Sequence, residues 1–420
     1  MSAALTDTLT RIFRAALASL DPARLVHDAL PPLPPGRARV VIVAAGKAAT
    51  AMANGALTRW PDRIDQVLVV GPDPAASFSD PRVRALTASH PIPDERSVVA
   101  AEAALALVRD LGARDLLVAL ISGGASSLLA SPAAGLSLAK KQAIVATLLD
   151  RGAPIREVNL VRRHLSRVKG GRLALAAIPA RVLTLILSDV IDGEPHDIGS
   201  GPTVPDPTTK GDARAVLQRH APELDAASFL DESLKPDTPV TILEAATSVP
   251  AAVRLRARIL VDPASLAAAM RERLALAGFH AIVEGPEEGD ARAIVDRRIA
   301  RAAALAPGDA VVIACEPTLR LPAARGSGGR AGWIALAAMR RLPDDVALLC
   351  AASDGVDGSS GGGGAAVARS SAAGVSDEEI DQALADFDDA RVHRALGTQL
   401  GGGPTGHNLA DLHVLVRAAR

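Results

Sequence analysis

Residues 158–209 hold the densest cluster of cations, hydroxyls and carboxylates set beside glycine in this chain. The segment carries Asn159-Leu160-Val161-Arg162-Arg163-His164-Leu165-Ser166-Arg167-Val168-Lys169-Gly170-Gly171. An apolar run, 182–187, then ends in Ser188-Asp189-Val190, and Gly199-Ser200-Gly201-Pro202-Thr203 follows. A run of cations, a carboxylate closing a buried strand and a Gly/Pro loop together suit an anionic, phosphate-bearing substrate. Read as a helix, Arg162, Ser166 and Lys169 fall at i, i+4 and i+7 on one face, with Asn159 a turn earlier, while Arg163 and Arg167 line an adjacent stripe. Val161, Leu165 and Val168 form the packing stripe, and Gly170-Gly171 ends the helix. The plainer alternative is an amphipathic helix with a solvated basic face. Asp189 can hold Mg²⁺ or accept a hydroxyl proton. Its alternative role, an N-cap, is disfavoured by Asp192-Gly193-Glu194-Pro195, which does not start a helix.

Other strings carry the same kind of chemistry. Val40-Val41-Ile42-Val43-Ala44-Ala45-Gly46-Lys47-Ala48-Ala49 reads as strand, tight turn and helix start. Lys47 then lies beside the open amides of a helix N-terminus, an arrangement suited to phosphate. The alternative is a solvated lysine in a βα turn, and the string lacks the Gly-x4-Gly-Lys-Ser/Thr spacing of a Walker A loop. The run 116–121 leads into Ser122-Gly123-Gly124-Ala125-Ser126-Ser127. Its small residues admit a ligand close to the backbone, and its hydroxyls can donate to phosphate oxygens. Asp354-Gly355-Val356-Asp357-Gly358 lacks the closing Glu of an EF-hand and reads as an anion- or Mg²⁺-binding turn. Gly326-Ser327-Gly328-Gly329-Arg330-Ala331 is formally the weak Gly-x-Gly-x-x-Ala dinucleotide pattern, without the acidic residue expected about 20 residues on.

These loops need rigid elements to hold them. At 420 residues the chain should form two domains, because single cores rarely grow past roughly 250–300 residues. Short apolar runs alternate with helical patterns, which gives an α/β class with mostly parallel sheets. Strands are expected at 40–43, 67–70, 116–121, 182–187, 258–261, 281–283, 311–314, 346–350 and 412–416. Helices are expected at 97–111 and 137–149, with Ser97 and Ser137 as N-caps. Leu5, Leu9, Ile12, Phe13, Leu17 and Leu20 mark an N-terminal amphipathic helix. The proline-rich stretch 220–250 is the best boundary, dividing a domain at 1–235 from one at 240–420.

Composition narrows the function. A net charge of −1 leaves no global field for nucleic acid, and five Phe, two Trp and no Tyr offer little base stacking. Any anion site is therefore local. Cys315 and Cys350 sit in apolar runs and read as buried thiols of a cytoplasmic protein. The uncharged stretch 116–139 is broken by glycine and proline and does not read as a membrane span.

Taken in order, Gly46-Lys47-Ala48, His90-Pro91-Ile92-Pro93-Asp94, Ser122-Gly123-Gly124-Ala125-Ser126, the 158–209 segment, Gly289-Asp290-Ala291-Arg292, Asp354–Gly358 and Gly403-Pro404-Thr405-Gly406-His407-Asn408-Leu409-Ala410-Asp411 resemble the glycerate 2-kinase family over nearly the whole chain. The resemblance implies two α/β domains with an active-site cleft between them. It also implies ATP- and Mg²⁺-dependent phosphorylation of the 2-hydroxyl of D-glycerate by a monomer or homodimer. On that basis Lys47, Asp189 and Arg330 are the catalytic candidates, with Asp189 also the metal candidate. Gly46, Ser122, Gly123, Gly124, Ser126, Ser127, Lys169, Asp354, Asp357, Thr405 and Asn408 are the cofactor-binding candidates. The chain departs from the family where Arg330 is followed by Ala331-Gly332-Trp333 instead of Asn-Gln-Glu. That difference bears on which small hydroxy acid is taken more than on the reaction. Two competing readings are an NAD(P)H-dependent hydroxypyruvate reductase, resting on 326–331, and an α/β binding protein that keeps the anion pocket without turnover.

Overall fold

A computed structural model describes residues 2–33, 36, 38–74, 78–224, 230, 255–322 and 324–419. The chain divides into two compact units. The N-terminal unit is Pro22–Ser188 with Asp192–Leu260, and the C-terminal unit is Met1–Asp21, Asp189–Ile191 and Val261–Arg420. This differs from a 1–235/240–420 split in two places. Helix α1 (Ser2–Ser19) groups with the C-terminal unit, because its buried stripe of Leu9, Ile12, Phe13, Ala16 and Leu17 packs there. The three residues Asp189–Ile191 also group with that unit. Most of the expected boundary stretch, 225–229 and 231–250, lies outside the described residues.

After α2 (Pro22–Ala29), the N-terminal unit is a sheet with helices packed on it. Its strands are β1 (Val40–Ala45), β2 (Gln66–Gly71), β3 (Val83–Thr87), β4 (Leu116–Ser122), β5 (Arg181–Leu187) and β6 (Leu255–Val261), in the order β3-β2-β1-β4-β5-β6. Every pairing from β3 through β5 is parallel. Burial on both faces of a parallel sheet explains the unbroken apolar run Val40-Val41-Ile42-Val43. The connecting helices are α3 (Ala49–Arg59), α4 (Glu95–Val108), the single turn α5 (Ala125–Leu128), α6 (Leu138–Asp150), α7 (Ile155–His164), α8 (Arg172–Ala177) and α9 (Lys210–His220). Ser137 caps α6 as expected, accepting from Lys140 N. Ser97 does not cap α4. Asp94 accepts from Arg96 N, and Ser97 completes the capping box from the third helical position. An aspartate after Pro93 ends the extended chain three residues earlier than the serine would.

The C-terminal unit carries β7 (His280–Asp290), β8 (Asp309–Thr318), β9 (Val346–Ala352), β10 (Gly364–Ala368) and β11 (Asp411–Arg417), in the order β10-β9-β11-β8-β7. Here the expectation of a mostly parallel sheet fails. Only β7 pairs β8 in parallel, while β8–β11, β11–β9 and β9–β10 are antiparallel. Two of these come from β11, the last strand, which returns to the middle between two strands that run the other way, and the third from β10, which folds back on β9. Its helices are α10 (Pro263–Leu276), α11 (Ala291–Ala304), α12 (Arg330–Met339), α13 (Asp377–Asp386) and α14 (Asp389–Leu396). Helix α12 is the core helix, burying Ile334, Leu336 and Met339 against Leu348 and Val367 of the sheet.

All nine expected strands form. Two others, β3 and β10, were not anticipated. β3 is an edge strand with no fully buried residue, and β10 is Gly-Ala-Ala-Val-Ala, a run with little strand propensity of its own. No helix of the described residues is long and apolar enough to cross a membrane.

Candidate active site

The strand order of the N-terminal sheet reverses between β1 and β4, and open α/β sheets bind ligands outside the carboxyl ends of the strands at such a point. The two loops leaving that point are Gly46-Lys47 and Ser122–Ser127. They are locked together. Lys47 N donates to Gly123 O at 2.9 Å, and Ala48 N donates to Ser122 Oγ at 3.1 Å. Gly46 has φ +129°, and a Cβ there would lie 2.1 Å from Ser122 Oγ and 2.6 Å from Ser122 O. Gly124 has φ +85°, and a Cβ on it would meet His90 Cδ2 at 3.0 Å and Lys47 Cγ at 3.5 Å. Lys47 and His90 therefore flank one bare glycine. Ser127 Oγ donates to Pro91 O at 2.6 Å, and Ser126 Oγ lies 2.8 Å from Ser200 Oγ.

The 158–172 segment folds differently from its helical reading. Helix α7 stops at His164, so Arg162, Ser166 and Lys169 share no helical face and Arg163 and Arg167 form no stripe. From Leu165 on, the backbone pairs with residues 131–133: Ala133 N donates to Leu165 O and Arg167 N to Ser131 O. Gly170 and Gly171, both with positive φ, turn the chain into α8 rather than ending a helix. The expected basic face is largely buried. Lys169 is not open to a ligand: its Nζ donates to Ser126 O at 2.5 Å and Leu129 O at 2.9 Å. Burial first, then repulsion from Lys141 and Arg162, holds that ammonium well below its ordinary value. Arg163 Nε meets the buried Asp206 at 3.2 Å. The turn Gly199-Ser200-Gly201 has three successive positive φ angles, and Gly170 N donates to Ser200 O at 3.0 Å. Backbone strain of this kind is commonly stored at functional sites.

In the C-terminal unit the glycine loop before α12 is filled by the protein's own carboxylates. Asp357 accepts from Ala331 N at 3.1 Å and Gly332 N at 2.7 Å, and Asp389 accepts from Gly329 N at 3.3 Å. The glycines make room for them. A Cβ on Gly328 would lie 1.9 Å from Asp389 Oδ1, one on Gly329 2.1 Å from Asp357 Cγ, and one on Gly332 2.3 Å from Asp389 Oδ2. Burial pushes Asp389 up to about 7, with the neighbouring Asp357 charge adding to it. Arg330 donates to Pro317 O at 3.1 Å and lies 3.5 Å from the buried Asp411 carboxylate and 3.6 Å from Glu316. Burial likewise raises Asp411 to about 7 against the pull of Arg330.

The 353–358 and 403–411 loops interlock. Thr405 Oγ1 donates to Ser353 O at 2.6 Å, Thr405 N to Asp354 O at 3.1 Å, and Leu409 N to Ser353 Oγ at 2.7 Å. Asp354 Oδ1 accepts from Val356 N at 2.9 Å, and Asn408 Nδ2 donates to Asp189 Oδ2 at 2.7 Å. The structure thus brings Gly46, Lys47, Ser122, Gly123 and Gly124 together around one turn. It also joins Asp354 to Thr405 and Asn408 to Asp189. It commits Asp357 and Lys169 to internal bonds. Sequence reasoning passed over His90, Ser200 and Asp389. His90 and Ser200 lay inside strings already singled out, whereas Asp389 stands in a helical sequence, Asp388–Leu396, with no such signal.

Residues 8–234 match a family described as a domain of unknown function (DUF4147), and residues 309–411 match the MOFRL family. A putative hydroxypyruvate reductase of Agrobacterium vitis is 38% identical over 98% of this chain and 94% of its own length. The D-glycerate 2-kinase of Thermotoga maritima is 32% identical over 96% of this chain and 95% of its own. The crystal structure of glycerate kinase from Thermotoga maritima matches with a TM-score of 0.86 at 29% identity, covering 99% of this chain and 100% of that one.

Proposed function

This chain belongs to the glycerate kinase family, and from that premise we propose that it transfers the γ-phosphoryl group of ATP to the 2-hydroxyl of D-glycerate in the cytoplasm, giving 2-phosphoglycerate and ADP. The observation that carries this reading is the pairing of Lys47 with the Ser122–Ser127 loop where the sheet order reverses. Phosphoryl transfer asks the protein mainly for positioning and charge neutralisation. Gly124 puts no side chain of its own between Lys47 and His90, and Lys47 supplies a compact positive charge beside it. The substrate hydroxyl oxygen bonds to the γ-phosphorus as the bond to the bridging oxygen of ADP breaks.

Asp189 offers the hard carboxylate oxygen that Mg²⁺ takes, alongside phosphate oxygens and water. Asn408 donates to one of its oxygens, and in this reading the same carboxylate accepts the hydroxyl proton. Mg²⁺, when bound, spreads the negative charge of the phosphates. Arg330 supplies a planar fork for a carboxylate or phosphate. The reductase reading finds less support. Nicotinamide enzymes of this strand order carry their glycine fingerprint after the first strand, where this chain has Gly46-Lys47-Ala48-Ala49. Release of ADP on mixing enzyme, Mg-ATP and D-glycerate tests the kinase reading.

A further inference from the structure

We propose that Lys141, Arg162 and Arg172 form a second anion site in the N-terminal unit, one that takes a phosphate-type oxyanion. Helix α6 buries Lys141, Ile144 and Leu148, spaced i, i+3 and i+7. An ammonium therefore occupies a position on the apolar stripe, where packing alone would put an aliphatic residue. Lys141 is only 6% exposed, and among the described residues its Nζ has no hydrogen-bond partner. Arg172 Nη2 is likewise buried without one.

The neighbouring charges do not balance. Lys169 is met by two carbonyls, and Arg163 by Asp206 at 3.2 Å and Asp197 at 3.8 Å. Among the described residues, Arg172 Nη1 donates to the carbonyls of Arg163 and Lys169, with the Asp206 charge also acting on this guanidinium, and Arg162 donates to the neutral Asn159 amide at 3.2 Å. Burial, with repulsion from Arg162 and Arg172, drives the Lys141 ammonium down to about 7. A buried charge left without a counter-ion is strongly unfavourable, whereas cations gathered round an anion are not. Lys141, Arg162 and Arg172 bring three formal positive charges, and Asp206, which acts on Arg172, is shared with Arg163, so a dianionic phosphate balances the cluster better than a carboxylate does. Arg162, half-buried, offers the fork that binds such oxygens, and Lys141 the point charge. The cluster abuts the Ser122–Ser127 loop through Lys169 and the His90–Pro93 string through Gln142, whose Nε2 donates to Pro93 O at 2.7 Å.

The site uses none of Lys47, Asp189 and Arg330, so it stands or falls apart from the proposed activity. The test is thermal unfolding of the full chain at fixed ionic strength, titrated with inorganic phosphate, acetate or ADP. Wild type, Lys47→Ala, Lys141→Met and Arg162→Gln are compared. Phosphate should raise Tm saturably in wild type and Lys47→Ala, and the rise should vanish in Lys141→Met and Arg162→Gln. Arg162→Gln opens no buried cavity and serves if the Lys141 variant folds poorly. A larger Lys141-dependent shift with ADP than with phosphate would assign the site to a nucleotide phosphate, and an equal or smaller one to free phosphate. Equal phosphate stabilisation of all four proteins, no phosphate response in wild type, or an equal response to acetate would overturn the proposal.

Discussion

Gly46 and Ser122 are in van der Waals interlock: the serine hydroxyl fills the space in which any Cβ at position 46 would stand. The glycine also holds a φ of +129°, which an L side chain rarely adopts. Gly46→Ala should therefore displace the Lys47 turn and the serine loop together. The expected cost is about 2–4 kcal/mol from overpacking and backbone strain. Denaturant unfolding measures it, and a midpoint equal to wild type would remove the interlock from the account.

Lys47 should act on charge in the transition state rather than on folding. Lys47→Ala is expected to keep the wild-type unfolding midpoint and to lose about 100- to 1,000-fold in kcat, the usual loss when one electrostatic contact to developing charge is removed. Steady-state kinetics with Mg-ATP decide it, and near-normal turnover would take Lys47 out of the mechanism.

The helix α12 N-terminus should be closed to dinucleotides. Asp357 and Asp389 already accept its amides, and their carboxylates stand where a pyrophosphate would have to bind. NADH and NADPH should therefore show no saturable oxidation with hydroxypyruvate, followed by absorbance at the nicotinamide band. Saturable oxidation would restore the reductase reading.

Asp389 should make the protein less stable as pH rises. Its folded-state pKa of about 7 lies above the ordinary 3.8, so folding favours the protonated acid. The stabilisation is full below about pH 4 and is lost as pH climbs through 7. Asp411, raised for the same reason of burial, adds in the same direction. Asp389→Asn keeps a neutral group at every pH, so the stability of wild type relative to this variant should fall between pH 4 and 8. A gap constant across that range would contradict the assignment.

The parallel sheet was readable because burial on both faces leaves continuous apolar runs, as at 40–43 and 182–187. The order of the C-terminal strands was not, since nothing in Asp411–Arg417 says that the last strand inserts between β8 and β9. Lys47 and the serine loop were legible because chemistry and turn-forming glycine coincide in one string. The loop before α12 misled for the same reason. Its glycines match a dinucleotide pattern formally, but they make room for two carboxylates, and one of these, Asp389, lies 60 residues away along the chain. Lys169 was misjudged because sequence shows a charge but not the carbonyls that enclose it.

The central claim is the transfer of a phosphoryl group to the 2-hydroxyl of D-glycerate. Incubating the enzyme with Mg-ATP and D-glycerate and assigning the product by phosphorus NMR tests it most directly. The account predicts ADP and 2-phosphoglycerate in equal amounts. A 3-phosphoglycerate signal, or no D-glycerate-dependent ADP, would contradict it.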